Sequence, residues 1–185
     1  MSRCKKKRFL AFMLTVAMLL GVMPVDLLGG IASVKAAETV HEVNFTKIPA
    51  EGKTDKGSFT NDMLGDSYYT LVGSAMCRLN SAATKVTAVE LTDKEGLSAI
   101  NFTVNGTANL EVKFCSTGKT NNSQLALKKD GTQIADSVKT VTGTSGETAA
   151  YSNLTAGTYS IISAEGFTER SVRIISIKVT ETTQD

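Results

Sequence analysis

The sequence predicts an all-β fold, an antiparallel β-sandwich of jelly-roll type. Three observations carry this reading. Apolar and polar residues alternate with period two through Ala99-Ile100-Asn101-Phe102-Thr103-Val104 and again from Asn109 to Phe114, as half-buried strands do. The Asp130-Gly131 pair lies between Leu125/Leu127 and Ile134, a hairpin signal because both turn residues must tolerate positive φ. No stretch keeps a helical period over about ten residues, and beyond residue 36 the only proline is Pro49.

The elements follow in order. Arg3, Lys5, Lys6, Lys7 and Arg8 precede an apolar run from Phe9 to Met23, and Val34-Lys35-Ala36 supplies small residues at a cleavage position. This is the pattern of a cleavable signal peptide, residues 1–36. The apolar run is shorter than the roughly 20 residues a membrane-spanning helix needs, and Pro24 and Asp26 end it. Residues 37–185 then form a single domain, long enough for a core of its own. A first strand is expected at 40–46, followed by a long Gly-, Lys- and Asp-rich loop over 47–67. Further strands are expected at 76–79, 84–91, 99–104, 109–114, 125–127, 159–162 and 171–180, about ten in all with the hairpin partner.

Charge excludes one class of function. The chain carries 20 Lys+Arg and 18 Asp+Glu, but residues 1–36 hold six of the bases and one acid, leaving 14 against 17 and a net charge of −3. The basicity belongs to the leader, so no nucleic-acid partner is implied. Once the leader is cleaved, no membrane association is expected, and the product is read as secreted and monomeric.

Catalytic side chains are scarce. His41 is the only histidine and reads as an exposed residue of an edge strand. No Cys/His spacing suits zinc, and neither a phosphate loop nor a Gly-x-Ser-x-Gly elbow occurs. Asp93, Lys94, Glu95 and Gly96 read as a solvated turn without the spacing of a calcium loop. The domain is therefore expected to be no enzyme and to need no cofactor, with a structural calcium ion left open. Cys77 and Cys115 invite a disulfide in an exported chain. Strand parity opposes it, pointing Cys77 inward with Leu79 and Cys115 away from Leu110, Val112 and Phe114.

A family resemblance rests on the C-terminal third. Asn153-Leu154-Thr155-Ala156-Gly157-Thr158-Tyr159-Ser160-Ile161 has the Leu-x-Ala-Gly-Thr-Tyr form of extracellular β-sandwich modules, and Val172 to Thr180 is similar to their closing strand. Met76 to Ser81, Ile100 to Thr103 and Leu125-Ala126-Leu127 precede these in the same order. Over residues 40–182 the chain resembles the pectin-binding accessory modules of bacterial pectate lyases, carbohydrate-binding module family 77. The resemblance implies noncatalytic binding of a plant cell-wall polysaccharide, with cations gripping galacturonate carboxylates.

Composition fits a cation-based site: the chain has no Trp, and only Tyr68, Tyr69, Tyr151 and Tyr159 for aromatic platforms. Lys and Arg pair directly with carboxylates. Candidate carbohydrate-binding residues are Arg78, opposite in phase to Cys77 and Leu79; Lys113, between Val112 and Phe114; Lys128, out of phase with Leu125 and Leu127; and Arg173 on the last strand. Ile175 stands where related modules carry an aromatic. Tyr159 reads as a tyrosine-corner residue bonding the backbone. The expected partner is an acidic plant cell-wall glycan. Two alternatives stand: an extracellular structural or protein-interaction sandwich that uses an exposed strand edge, and a split accessory part of a pectate lyase.

Overall fold

The computed structural model describes residues 36–92, 98–166 and 171–183. The leader and the Asp93–Gly96 turn therefore lie outside the described residues. Eleven strands form one antiparallel sheet that folds over on itself as a β-sandwich. They are β1 (Ala37–Asn44), β2 (Ser58–Phe59), β3 (Thr70–Val72), β4 (Ala75–Leu79), β5 (Val86–Leu91) and β6 (Ala99–Cys115). Then come β7 (Asn122–Lys129), β8 (Thr132–Gln133), β9 (Lys139–Thr142), β10 (Glu147–Ser163) and β11 (Val172–Thr183).

The two predicted strands at 99–104 and 109–114 are halves of a single 17-residue strand, β6. The strand runs on through its polar midpoint Asn105-Gly106, although neither residue has a partner in the β10 or β11 ladder and the β10 register shifts there. β6 and its partner β10 run through both layers. The first half of β6 pairs with β3 and the last half of β10 with β7; the second half of β6 pairs with β11 on one side and with the first half of β10 on the other. Register shifts between Tyr151 and Leu154 and between Thr155 and Gly157 let β10 turn the corner, with Asn153 at φ 58°. At the same corner the Glu181 carboxylate accepts the backbone N–H groups of Asn105 (2.5 Å) and Gly106 (3.0 Å). Glu181 is 4% exposed, and an ionised side chain at that depth requires such donors. An alanine Cβ at Gly106 would lie 2.5 Å from the Thr182 carbonyl oxygen, so this close strand approach admits only glycine.

The core fills the space between the layers. Leu110, Val112, Phe114, Ile174, Ile177 and Val179 from one layer face Ile100, Phe102, Leu125, Leu127, Tyr159 and Ile161 from the other. Phe102 stacks on Tyr159 with centroids 5.6 Å apart. The Tyr159 hydroxyl donates to the Thr155 carbonyl at 2.9 Å, the backbone bond expected of a tyrosine corner. The Asp130-Gly131 hairpin joins β7 and β8 with φ of 49° and 85°, both left-handed as a type I′ turn demands.

Several boundaries differ from expectation. The first strand begins at Ala37 and ends at Asn44, where the Asn44 side chain accepts the Thr46 N–H (3.1 Å) and starts a 3-10 turn. The expected loop over 47–67 contains β2 and a second 3-10 turn at Asn61–Met63. Elements of two or three residues are too short for periodicity to report them.

Candidate functional site

Arg78, Arg173 and Lys113 share one face. Pairing sets Glu90 of β5 opposite Arg173 of β11, and Arg173 opposite Cys115 of β6. Residues two apart keep the same side of a strand, so Arg78 and Lys113 join this outward face of the first layer. Ile175 lies in the register shift between Ile174 and Ser176. Its Cδ1 and the Lys113 Cε both approach Gly146, at 2.8 and 3.5 Å from where a Cβ there would sit.

Lys128 stands apart. Its strand pairs with Ser160 of β10, itself opposite Asn101 of β6, which puts Lys128 on the outer face of the second layer. The four predicted cations therefore divide three to one between two faces.

Three of the four are already paired. Glu90 Oε2 accepts Arg173 Nε at 2.8 Å and lies 3.4 Å from Arg78 Nε, while Arg78 Nη1 lies 3.6 Å from Asp55 Oδ2. Lys128 Nζ contacts Glu165 Oε1 at 2.6 Å. The arginine side chains keep only 16% and 17% exposure, and the acid between them 11%. Lys113 alone is exposed, with no ion-pair partner among the described residues. Strand phase gave the face of each cation but said nothing of the carboxylate across the ladder.

Cys77 and Cys115 are both free and buried. They project from opposite faces of strands separated by β5 and β11, a span of about 14 Å at ordinary strand spacing, far beyond disulfide reach. Burial pushes both thiols up, partly offset by Lys53 near Cys77 and by Arg173 near Cys115. Cys115 points away from the main core as parity requires, yet it is 5% exposed.

His41 is not the solvated edge residue the sequence suggests. Its ring stacks on Tyr68 at 3.7 Å and 4°, and its Nδ1 lies 3.6 Å from Asp66 Oδ2. Asp66 Oδ1 also accepts the Tyr68 N–H at 2.9 Å, and the Tyr69 hydroxyl donates to the His41 carbonyl at 2.8 Å. Burial is the largest cause raising both phenols, with added carboxylate repulsion. This clasp ties β1 to the segment before β3. Beside it opens a cleft of about 450 Å³, lined by Glu42, Asn44 and Lys47 after β1 and by Lys53, Asp62 and Met63. Sequence reasoning missed the cleft because it forms where the end of β1 meets turn residues further along the chain. Among the described residues, no three His, Cys, Asp or Glu side chains gather at metal-ligating distance, and no helix is long and apolar enough to cross a membrane.

No family model matches the chain, and no curated protein matches it. Among solved structures, it is similar to the CBM36-1 domain of a multidomain xylanase from the hindgut metagenome of Trinervitermes trinervoides. That match has 14% identity, covers 77% of this chain and 96% of the other, and has a TM-score of 0.43. A carbohydrate-binding module CBM36 in complex with calcium and xylotriose matches at 16% identity over 76% of this chain and 98% of its own, TM-score 0.43. The CBM22-1 xylan-binding domain of Paenibacillus barcinonensis Xyn10C matches at 9% identity over 81% and 98%, TM-score 0.45. These structural neighbours are carbohydrate-binding modules, and the low scores leave the functional reading to the chain's own residues.

Proposed function

We propose that this domain is a secreted, noncatalytic glycan-binding module whose ligand is an acidic plant cell-wall polysaccharide of the pectin kind. The observation that supports it is Lys113, an exposed cation without an ion-pair partner among the described residues, on a sheet face that also carries Arg78 and Arg173. Lys113 is flanked in register by Ser176 and Thr148, short hydroxyl side chains that leave the ammonium accessible. An ammonium in that setting attracts carboxylates at modest strength, and repetition along a polymer multiplies the effect. Arg78 and Arg173 contribute to the extent that a ligand carboxylate competes with Glu90. Retention on immobilised polygalacturonate, weakening as salt rises, is the test. Lys113→Ala is expected to shorten retention, and Lys128→Ala on the opposite layer to leave it unchanged. Equal retention of wild type and Lys113→Ala would remove this face from the reading, and no retention on any acidic glycan would remove the ligand.

One observation favours a protein partner instead. β1 pairs only with β11, and Val40 on it is 53% exposed, as an open edge with a hydrophobic contact would be. A stable protein partner in pull-downs, alongside no retention on acidic or neutral glycans, supports that alternative.

A further inference from the structure

We infer that the cleft beside β1 is a separate binding site for a single uronate-bearing saccharide unit, with Lys47 and Lys53 as its carboxylate-binding pair. The inference deepens the glycan-binding reading and rests on it for the ligand class. The cavity, about 450 Å³, lies within the size range of small-molecule sites and is far larger than the roughly 80 Å³ hollow at Thr107, Asn109 and Asn153.

On the sheet face only Lys113 lacks a carboxylate partner among the described residues, whereas the cleft brings two such lysines together. Arg78, Arg173 and Lys128 each have a carboxylate within 4 Å, whereas neither Lys47 nor Lys53 has such a partner among the described residues. Both nonetheless line a cavity that also holds Glu42 and Asp62. A concave wall with two ammonium groups outside any direct ion pair is the better receptor, because binding an anion there breaks no existing pair.

The remaining lining suits a sugar ring. Asn44 accepts the Thr46 N–H and hydroxyl on its Oδ1, at 3.1 and 2.7 Å, and its Nδ2, without a partner among the described residues, can donate to a hydroxyl. Glu42 and Asp62 offer acceptors to ring hydroxyls, and they oppose ligands with several negative charges packed together. Ile48, Pro49 and Met63 supply apolar contact for the C–H face of a pyranose. The His41–Asp66 clasp lies one residue outside Glu42 and Gly65, so the two strips lining the cleft are joined before any ligand arrives.

The experiment uses digalacturonate as a small probe and polygalacturonate as the polymer, both with the purified protein at low salt. Backbone amide shifts on titration with digalacturonate should map to residues 42–48 and 61–65. Lys47→Ala with Lys53→Ala together should weaken digalacturonate binding by about tenfold or more. Lys128→Ala, on the outer face of the other layer and already paired with Glu165, should leave it within twofold. Xylobiose, of similar ring size without a carboxylate, should shift these amides far less. Shifts confined to the Lys113 face, or a double variant that binds digalacturonate as wild type does, would overturn the cleft assignment while leaving the module reading intact. Digalacturonate binding in the cleft without any retention on the polymer would uphold the cleft and overturn the polysaccharide reading. No shift at any amide would overturn the cleft assignment, whatever the polymer does.

Discussion

Glu90→Gln separates the structural use of the arginines from their use on a ligand. The Glu90 side chain, 11% exposed, answers two guanidinium groups through one oxygen, at 2.8 Å to Arg173 and 3.4 Å to Arg78. Removing one member of a fully buried ion pair costs about 3–5 kcal/mol, because the remaining charge has no counterpart. Here both arginines keep some contact with water, and the amide oxygen of Gln still accepts one hydrogen bond, so the expected loss is about 2–3 kcal/mol. For a domain of this size that corresponds to a fall in Tm of about 4–12 °C. Thermal unfolding followed by circular dichroism measures it. A cycle with Arg173→Gln isolates the pair, and a coupling of about 1–2 kcal/mol is expected. The same change adds one positive charge to the face that carries Lys113, so retention on polygalacturonate at low salt should lengthen. An unchanged Tm would refute the view that Glu90 holds the arginines in place. A lowered Tm with unchanged retention would show that the freed cations do not meet the ligand.

Two further outcomes follow from the buried phenols. Tyr159→Phe removes the 2.9 Å bond to the Thr155 carbonyl but keeps the ring packing, so it should cost about 1 kcal/mol with no change in glycan retention; denaturant unfolding and the polygalacturonate column read the two effects separately. Burial raises Tyr69 and Tyr151 well above the ordinary phenol value near 10. Above that pH the unfolded chain releases phenolic protons that the folded chain retains. Stability is therefore fully present below about pH 10 and declines as pH rises further, by at most about 1.4 kcal/mol per pH unit per group. Phenolate absorbance should show these two groups ionising only together with loss of the fold; their titration near pH 10 in a chain with unchanged circular dichroism would contradict the burial argument.

The fold was legible because its main determinants are local. Alternation from Ala99 to Phe114 marks which side chains enter the core, and Asp130-Gly131 marks a turn whose φ values few other pairs accept. Parity also separated Cys77 from Cys115 correctly, since each step along a strand reverses the face. What the sequence concealed depends on contacts between distant segments. Asn105-Gly106 looks like a break between two strands, and only Glu181, 75 and 76 residues away, turns it into a bend within one. His41 looks solvent-facing until Tyr68 and Asp66 fold over it.

The candidate site divides along the same line. Phase within a strand told which way Arg78, Lys113, Lys128 and Arg173 point, and a single residue's phase is enough for that. Whether a cation is available to a ligand depends instead on its cross-strand neighbour, and that neighbour is set by register between strands. Glu90 meets Arg173 across 83 residues of chain, and no local pattern in either strand announces the meeting. Lys128 is lost instead to Glu165, a residue past the end of β10 that no strand register sets opposite it. Lys47 and Lys53 lie where no ladder sets a residue opposite them, and among the described residues neither has a carboxylate partner beside the cavity, unlike Arg173 across from Glu90. In a sheet built from alternating charges, free cations are therefore better sought where pairing stops than along the strands themselves.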